Sequence, residues 1–386
     1  AREAGDEHWE ATCLHTLGVV AFRRGEVEPC AASWRQALAI RRRIGDRRGV
    51  ASTLQALSLV MRAIGEEEQV QATMEEALSI WRSIGERRGE ASMLMNLGTL
   101  LVDRARYEEA LRRFERALQM HRDTGALSNE AMVLTNTGHA LNMLGRIDEA
   151  LTAWQRALDI FIDHGNPNGE LAVRAMLGIA LAEFGEEADA RLHLETAIEI
   201  ARRTGNRSKL ALAQRALGQL LHETGAPAEG WRLLEAALEI DREAGDAGGR
   251  VQSLGLMGRA ALMEGDGDRA ASLLAEALED ARGIESMAPL ILARLALAHH
   301  LAGRAEEAAA RAREALARLD ASGNVSSRDG PEMYFAAYRV LGGAALVARA
   351  RALVEERAAA VRNDTFREHL LERTWPVADI LAASRD

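Results

Sequence analysis

Few residues in this chain combine the type and spacing that chemistry demands. His299 and His300 offer imidazole nitrogens to a metal. Neighbours on a helix, however, point about 100° apart and do not readily chelate one ion. A surface or packed role suits them better. Cys13 and Cys30 are the only thiols. They read as a redox pair or, more plainly, as two small buried hydrophobes. The stretch EGDGD at Glu264–Asp268 lacks the spaced acids of a calcium loop and reads as a turn between helices. A phosphate loop needs Gly-x-x-x-x-Gly-Lys-[Ser/Thr], because backbone N–H groups and the lysine meet the phosphates. The only lysine, Lys209, sits in NRSKLAL with no glycine directly in front of it. Neither His-Glu-x-x-His nor Cys-x-x-Cys occurs. These residue types point away from an enzyme, and no cofactor or metal is expected.

Composition says which elements must hold these side chains. Of 386 residues only 6 are Trp, 3 Tyr and 6 Phe, while Ala, Leu, Glu and Arg dominate. The former are strand formers and the latter helix formers. An all-β chain is excluded and an all-α one expected. A hydrophobic content of 48% is enough to fold rather than stay disordered. The 48 basic and 58 acidic residues give a net charge of −10, a poor match for a nucleic-acid backbone. No apolar run nears the roughly 18 residues of a membrane span. Without a signal peptide, and with two cysteines, a cytoplasmic chain is expected. The preference for Arg over Lys suggests a GC-rich bacterial genome.

A forty-residue period organises the chain. Glycines recur at Gly5, Gly45, Gly85, Gly125, Gly165, Gly205 and Gly245. A second series runs Gly18, Gly98, Gly138, Gly178, Gly218 and Gly258, with Ser58 filling the gap. A third runs Gly25, Gly65, Gly145, Gly185, Gly225, Gly265 and Gly303, with Ala105 as its gap. Alanines repeat from Ala37 to Ala315 on the same period, which gives eight repeats. Each reads as two helices. In the third repeat Leu94, Leu97 and Leu101 recur at helical spacing, then Ala110, Phe114 and Ala117. Gly-Asp and Gly-Asn pairs after the second helix read as a stop and an N-cap. Trp34 and Trp154 fall at a packing place, whereas Trp81 and Trp231 fit no assigned place.

Leu94, Leu97, Gly98, Leu101, Ala110, Phe114 and Ala117, and likewise Leu134, Gly138, Leu141, Ala150, Trp154 and Ala157, resemble the tetratricopeptide repeat. The period of about 40 instead of 34 marks a long-helix variety of it. The resemblance implies an α-solenoid of antiparallel helix pairs over residues 1–320. After a polar loop at 321–330, a degenerate repeat and helical cap are expected over 331–386. Helices are expected at Pro331–Leu341, about Ala344–Val361 and Thr365–Arg373, with a final turn at Val377–Ala383. The closing stretch, residues 358–383, is similar to tails that end the repeat regions of large bacterial signalling ATPases, cyclases and transcriptional regulators. The opening AREAGD matches the end of a second helix at Asp241–Asp246, so further repeats upstream are expected.

The resemblance also implies a ligand face on the first helices, six and three residues before the Gly98-type place and one and four after it. Carried over, the candidates are His15 and Phe22, Gln55 and Arg62, and Met95 and Thr99. Next come Met132, Thr135, His139, Asn142 and Ile179, followed by Arg215, Gln219, His222, Gln252 and Arg259. An apolar middle and a later part rich in Arg, Gln and His suit a peptide or protein segment with an acidic element. The expected function is therefore a non-enzymatic interaction scaffold or sensor within a larger bacterial signalling protein. Neither nucleic acid nor membrane is expected to bind this segment. The alternative is a repeat domain that senses a small molecule such as a sugar.

Overall fold

The computed structural model describes residues 4–61, 63–284, 286–322, 328–372 and 375–383. Arg62, residues 323–327 of the expected loop, and Arg373 lie outside the described residues. Twenty helices and no strand occur among the described residues. None of these helices is long and apolar enough to cross a membrane.

Two compact units divide the chain, Ala1–Ala140 and Leu141–Asp386. The first holds α1 (Ala4–Arg23), α2 (Val27–Arg43), α3 (Arg47–Ser58), α4 (Glu67–Ser83), α5 (Arg87–Asp103), α6 (Tyr107–Asp123) and most of α7 (Leu127–Met143). The second continues with α8 (Ile147–Asp163), α9 (Pro167–Glu183), α10 (Glu187–Thr204), α11 (Arg207–Glu223), α12 (Pro227–Ala244), α13 (Ala247–Met263) and α14 (Gly267–Asp280). It ends with α15 (Ala288–Leu301), α16 (Ala305–Ser322), α17 (Gly330–Leu341), α18 (Ala344–Ala360), α19 (Asp364–Glu372) and α20 (Val377–Ala383). Within each unit a first helix packs on its own second helix, and that second helix on the next first one. This is the α-solenoid architecture of antiparallel helix pairs.

The turns follow from the glycine series. In the third repeat Arg106 N donates to Leu101 O at 2.8 Å and Ala105 N to Val102 O at 2.9 Å. This double closure needs a left-handed residue between helix and cap. Glycine supplies it elsewhere, while Ala105 adopts φ 55° without being glycine. The Gly-Asp and Gly-Asn pairs behave as expected. Side chains of Asp46, Asn166 and Asp246 accept from the N–H three residues on, at 2.9, 3.0 and 2.9 Å.

Close approach explains the second series. A Cβ on Gly98 would sit 2.4 Å from the Phe114 ring, and one on Gly18 would sit 2.4 Å from Trp34. Trp34, Phe114 and Trp154 are buried, as their packing place implies. Where Ser58 replaces the glycine, α3 stops after 12 residues while α5 runs 17. The Ser58 hydroxyl donates back to Gln55 O at 2.7 Å, a bond that loosens a helix.

The expected C-terminal helices all form, and they sit inside the second unit. Asn363 caps α19, its Oδ1 accepting from Phe366 N at 3.1 Å. Val377 and Ile380 of α20 join a core with Leu353, Val354, Leu262 and Leu292. EGDGD is a turn, with Gly265 at φ 78° and Asp266 accepting from Arg269 N at 2.9 Å. His299 is tied to Arg304, whose Nε donates to Nδ1 at 2.9 Å. Cys30 is fully buried, but Cys13 is exposed, against the expectation of two buried thiols. Its counterparts Met93 and Val133 are fully buried in later repeats, where a preceding second helix covers that side.

Candidate functional site

The predicted face has to be separated into places that touch solvent and places that hold repeats together. Three residues before the glycine, the side chain points between its own second helix and the next first helix. In the first repeat, Arg41 Nη1 donates to Thr53 Oγ1 at 2.5 Å and to Gly49 O at 3.0 Å. It also lies 3.4 Å from Nδ1 of His15. Two hundred residues later the same three places carry Arg215, Asp241 and Ser253. Arg215 Nη1 donates to Asp241 at 2.7 Å, and Ser253 Oγ donates to the same oxygen at 2.8 Å. The positive charge has moved from the second helix to the first, and the contact survives. His15 is held below the usual imidazole value by burial and then by the Arg41 charge. Arg215 is buried, so it serves this junction rather than an open surface.

A further glycine series, unassigned by the repeat pattern, explains how these bulky residues fit. Gly49, Gly89, Gly169 and Gly249 each stand eight residues after Arg41, Trp81, Phe161 and Asp241. A Cβ at Gly89 would meet the Trp81 ring at 2.4 Å, and one at Gly169 the Phe161 ring at 2.5 Å. Trp81, unassigned from the sequence, therefore fills an inter-repeat junction. Trp231 is placed differently. Its Nε1 donates to Glu264 at 2.8 Å, and the Arg269 guanidinium stacks 3.6 Å from its ring centre.

The remaining predicted residues divide by unit. In the first unit Phe22 is 45% exposed, Met132 46%, and the neighbouring place Leu59 55%. Thr99 is exposed and accepts from Asn136 Nδ2 at 3.2 Å, which ties α5 to α7 on this side. Gln55, Met95 and His139 are half-buried. Thr135 is buried, its hydroxyl donating to Ala131 O at 2.8 Å. Places seven residues apart share one side of a helix. The open side of the first unit is thus apolar, with a few hydroxyl and amide groups.

In the second unit several of the corresponding places meet protein. Gln252 is exposed, and Asn142, Ile179 and Gln219 are half-buried. Gln219 donates to Glu223 at 3.0 Å, and His222 pairs with Glu264 at 3.1 Å. Arg259 is buried, bonded to Glu223 and lying 5.1 Å from the Trp375 ring centre. Arg294 of α15 makes a two-pronged pair with Glu332 of α17, at 2.6 and 2.9 Å. Burial alone would raise the Glu332 carboxyl, but Arg294 outweighs it and holds the group below the usual range. Glu183, at the end of α9, is bonded to Arg357 of α18 and lies 3.6 Å from Arg328. Desolvation opposes its charge, and Arg328 and Arg357 restore it.

None of Glu183, Arg294, Arg328, Glu332, Arg357 or Trp375 was among the residues predicted from the sequence. Residue type gave no clear signal: the place of Glu183 and Glu223 carries Arg23 and Asp103 as well as Ala63, Met143 and Met263 in other repeats.

The family model of the tetratricopeptide repeat matches residues 10–83, 68–123 and 129–203. No curated protein matches the sequence. Among solved structures, the apo form of RapI is similar with a TM-score of 0.61 at 17% identity, over 72% of this chain and 99% of that one. A Rap protein complexed with Competence and Sporulation Factor is similar with a TM-score of 0.61 at 14% identity, over 98% and 97%. Aspartyl phosphate phosphatase F from Bacillus subtilis is similar with a TM-score of 0.57 at 13% identity, over 74% and 75%. At these identities the likeness is one of fold.

Proposed function

This chain belongs to the tetratricopeptide-repeat proteins, and on that premise we propose that it is a binding scaffold whose first unit takes a peptide or protein segment. The observation that carries the reading is the exposure of Phe22 on α1, Leu59 at the end of α3 and Met132 on α7, all at ligand-face places. Exposed apolar side chains contributed by several first helices suit a segment that buries its own side chains there. The hydroxyl of Thr99 and the amide of Gln55 supply direction. That a structurally similar Rap protein is known in complex with Competence and Sporulation Factor supports peptide recognition on this fold.

Arg215 and Arg259, which the sequence offers for an acidic partner, are engaged within the chain. The reading therefore places recognition on the apolar side of the first unit. The test is a peptide-display selection against the intact chain, followed by binding to the triple variant Phe22→Ser, Leu59→Ser, Met132→Ser. Selected peptides are expected to lose at least tenfold in affinity while the circular dichroism spectrum stays unchanged. Peptides that bind the variant as well as the parent would place the ligand face elsewhere.

A further inference from the structure

The first-helix side of the second unit is covered by the chain's own C-terminal segment. Residues 357–372 bury Ala358, Val361, Phe366 and Leu370, and add charge, amide and aromatic contacts to distant turns. Arg357 is bonded to Glu183, with side chains 12% and 13% exposed. Asp148 Oδ2 accepts from the backbone N–H of Arg362 at 3.1 Å and of Asn363 at 3.2 Å. The Phe366 ring lies 5.4 Å from Phe184. Arginine and aromatic groups are enriched at interfaces relative to the rest of a protein's surface.

The turn glycines carry the same message. At Gly205, Gly225, Gly245 and Gly265 an added Cβ would meet nothing within 4 Å. At Gly145 it would lie 3.0 Å from the Ala360 Cβ, and at Gly185 2.2 Å from the His369 ring. The segment thus runs along the exposed turns of two successive repeats. It is anchored at its far end, where Val377 and Ile380 enter the core.

We propose that residues 357–372 act as a ligand held in cis, and that the seat formed by Glu183, Phe184 and Asp148 recognises a helical segment presenting a guanidinium followed by an aromatic ring. The seat opens when the segment lifts, and a partner segment of that chemistry then takes its place. This inference is independent of the reading for the first unit, because no residue is shared.

Hydrogen exchange on the full chain tests it. Amides of 357–372 are expected to exchange at least a hundredfold faster than those of α9–α14. The double variant Arg357→Gln, Phe366→Leu is expected to raise exchange in that segment a further tenfold and leave α9–α14 unchanged. A fluorescein-labelled peptide of residues 355–380 is expected to bind this variant at least tenfold more tightly than the parent chain. Exchange of the segment in step with α9–α14, in parent or variant, would make it part of the core and overturn the proposal. So would loss of protection in α9–α14 on substitution, or failure of the peptide to bind a variant whose segment has been released.

Discussion

Phe22 and Leu262 hold the same place in their repeats, four residues past the glycine position, yet Phe22 is 45% exposed and Leu262 8%. Arg259 and Leu59 likewise share a place, one residue past it, and are 8% and 55% exposed. The repeat unit dictates which side of a helix a residue occupies. It does not dictate what lies over that side. In the first unit these places are open; in the second Leu262 lies in the apolar core that α18 and α20 join, and Arg259 is closed in by Glu223 and Trp375.

The largest expected effect concerns the buried pair beneath that closure. Replacing Arg294 with Met leaves Glu332 buried and unpaired, which should cost about 3–5 kcal/mol in urea unfolding of the chain. The double variant Arg294→Met, Glu332→Leu should recover most of it, since an apolar pair of similar volume is often neutral. A single variant as stable as the parent would show that the closed side of the second unit is not packed as described.

A direct test of the contrast follows from the matched places. Leu262→Ala should cost about 2–5 kcal/mol, as a buried large-to-small change does. Phe22→Ala should cost less, about 0.5–1.5 kcal/mol, the loss of a half-exposed ring that lies 6.0 Å from Trp34. Equal effects, measured by the midpoint of urea unfolding, would erase the distinction between the two sides.

The smallest effect is one of pH in the first unit. His121 is fully enclosed with both ring nitrogens unpartnered, and burial depresses its pKa against a weaker pull from Glu130. The unfolded residue takes a proton near about 6.5, and the folded one only at lower pH. Stability from this group is therefore complete above about 6.5 and is lost as pH falls through the window below it. His121→Leu should flatten the decline in melting temperature between pH 7.5 and 5.5. An unchanged slope would show that another group carries it.

Much of the fold was legible because a helix pair is stabilised by contacts near in sequence. Gly98 meets Phe114 sixteen residues on, and Asp46 caps the helix that follows it. Spacing alone exposes such contacts. Which of the predicted places are open was legible only in part. Arg215 was placed on the ligand face by register, but three residues before the glycine is a junction between repeats. The partner there, Asp241, stands at a place occupied by Arg41, Trp81 and His121 elsewhere, so no pattern of residue type pointed to it. Spacing left a partial trace, in the glycines eight residues after Arg41, Trp81, Phe161 and Asp241, although Asn129 stands there after His121.

What the sequence by itself determined is the local order: helix pairs, their turns, their caps, and the side of each helix that faces its neighbours. Those depend on side-chain volume and backbone freedom within forty residues. What only the tertiary structure decided is coverage. Arg357 reaches Glu183 across 174 positions. A periodic sequence repeats its short-range contacts automatically. A contact made once, between a turn and a distant helix, depends on how the whole second unit curves back on itself, and that curvature is a sum of small rotations that no single repeat displays.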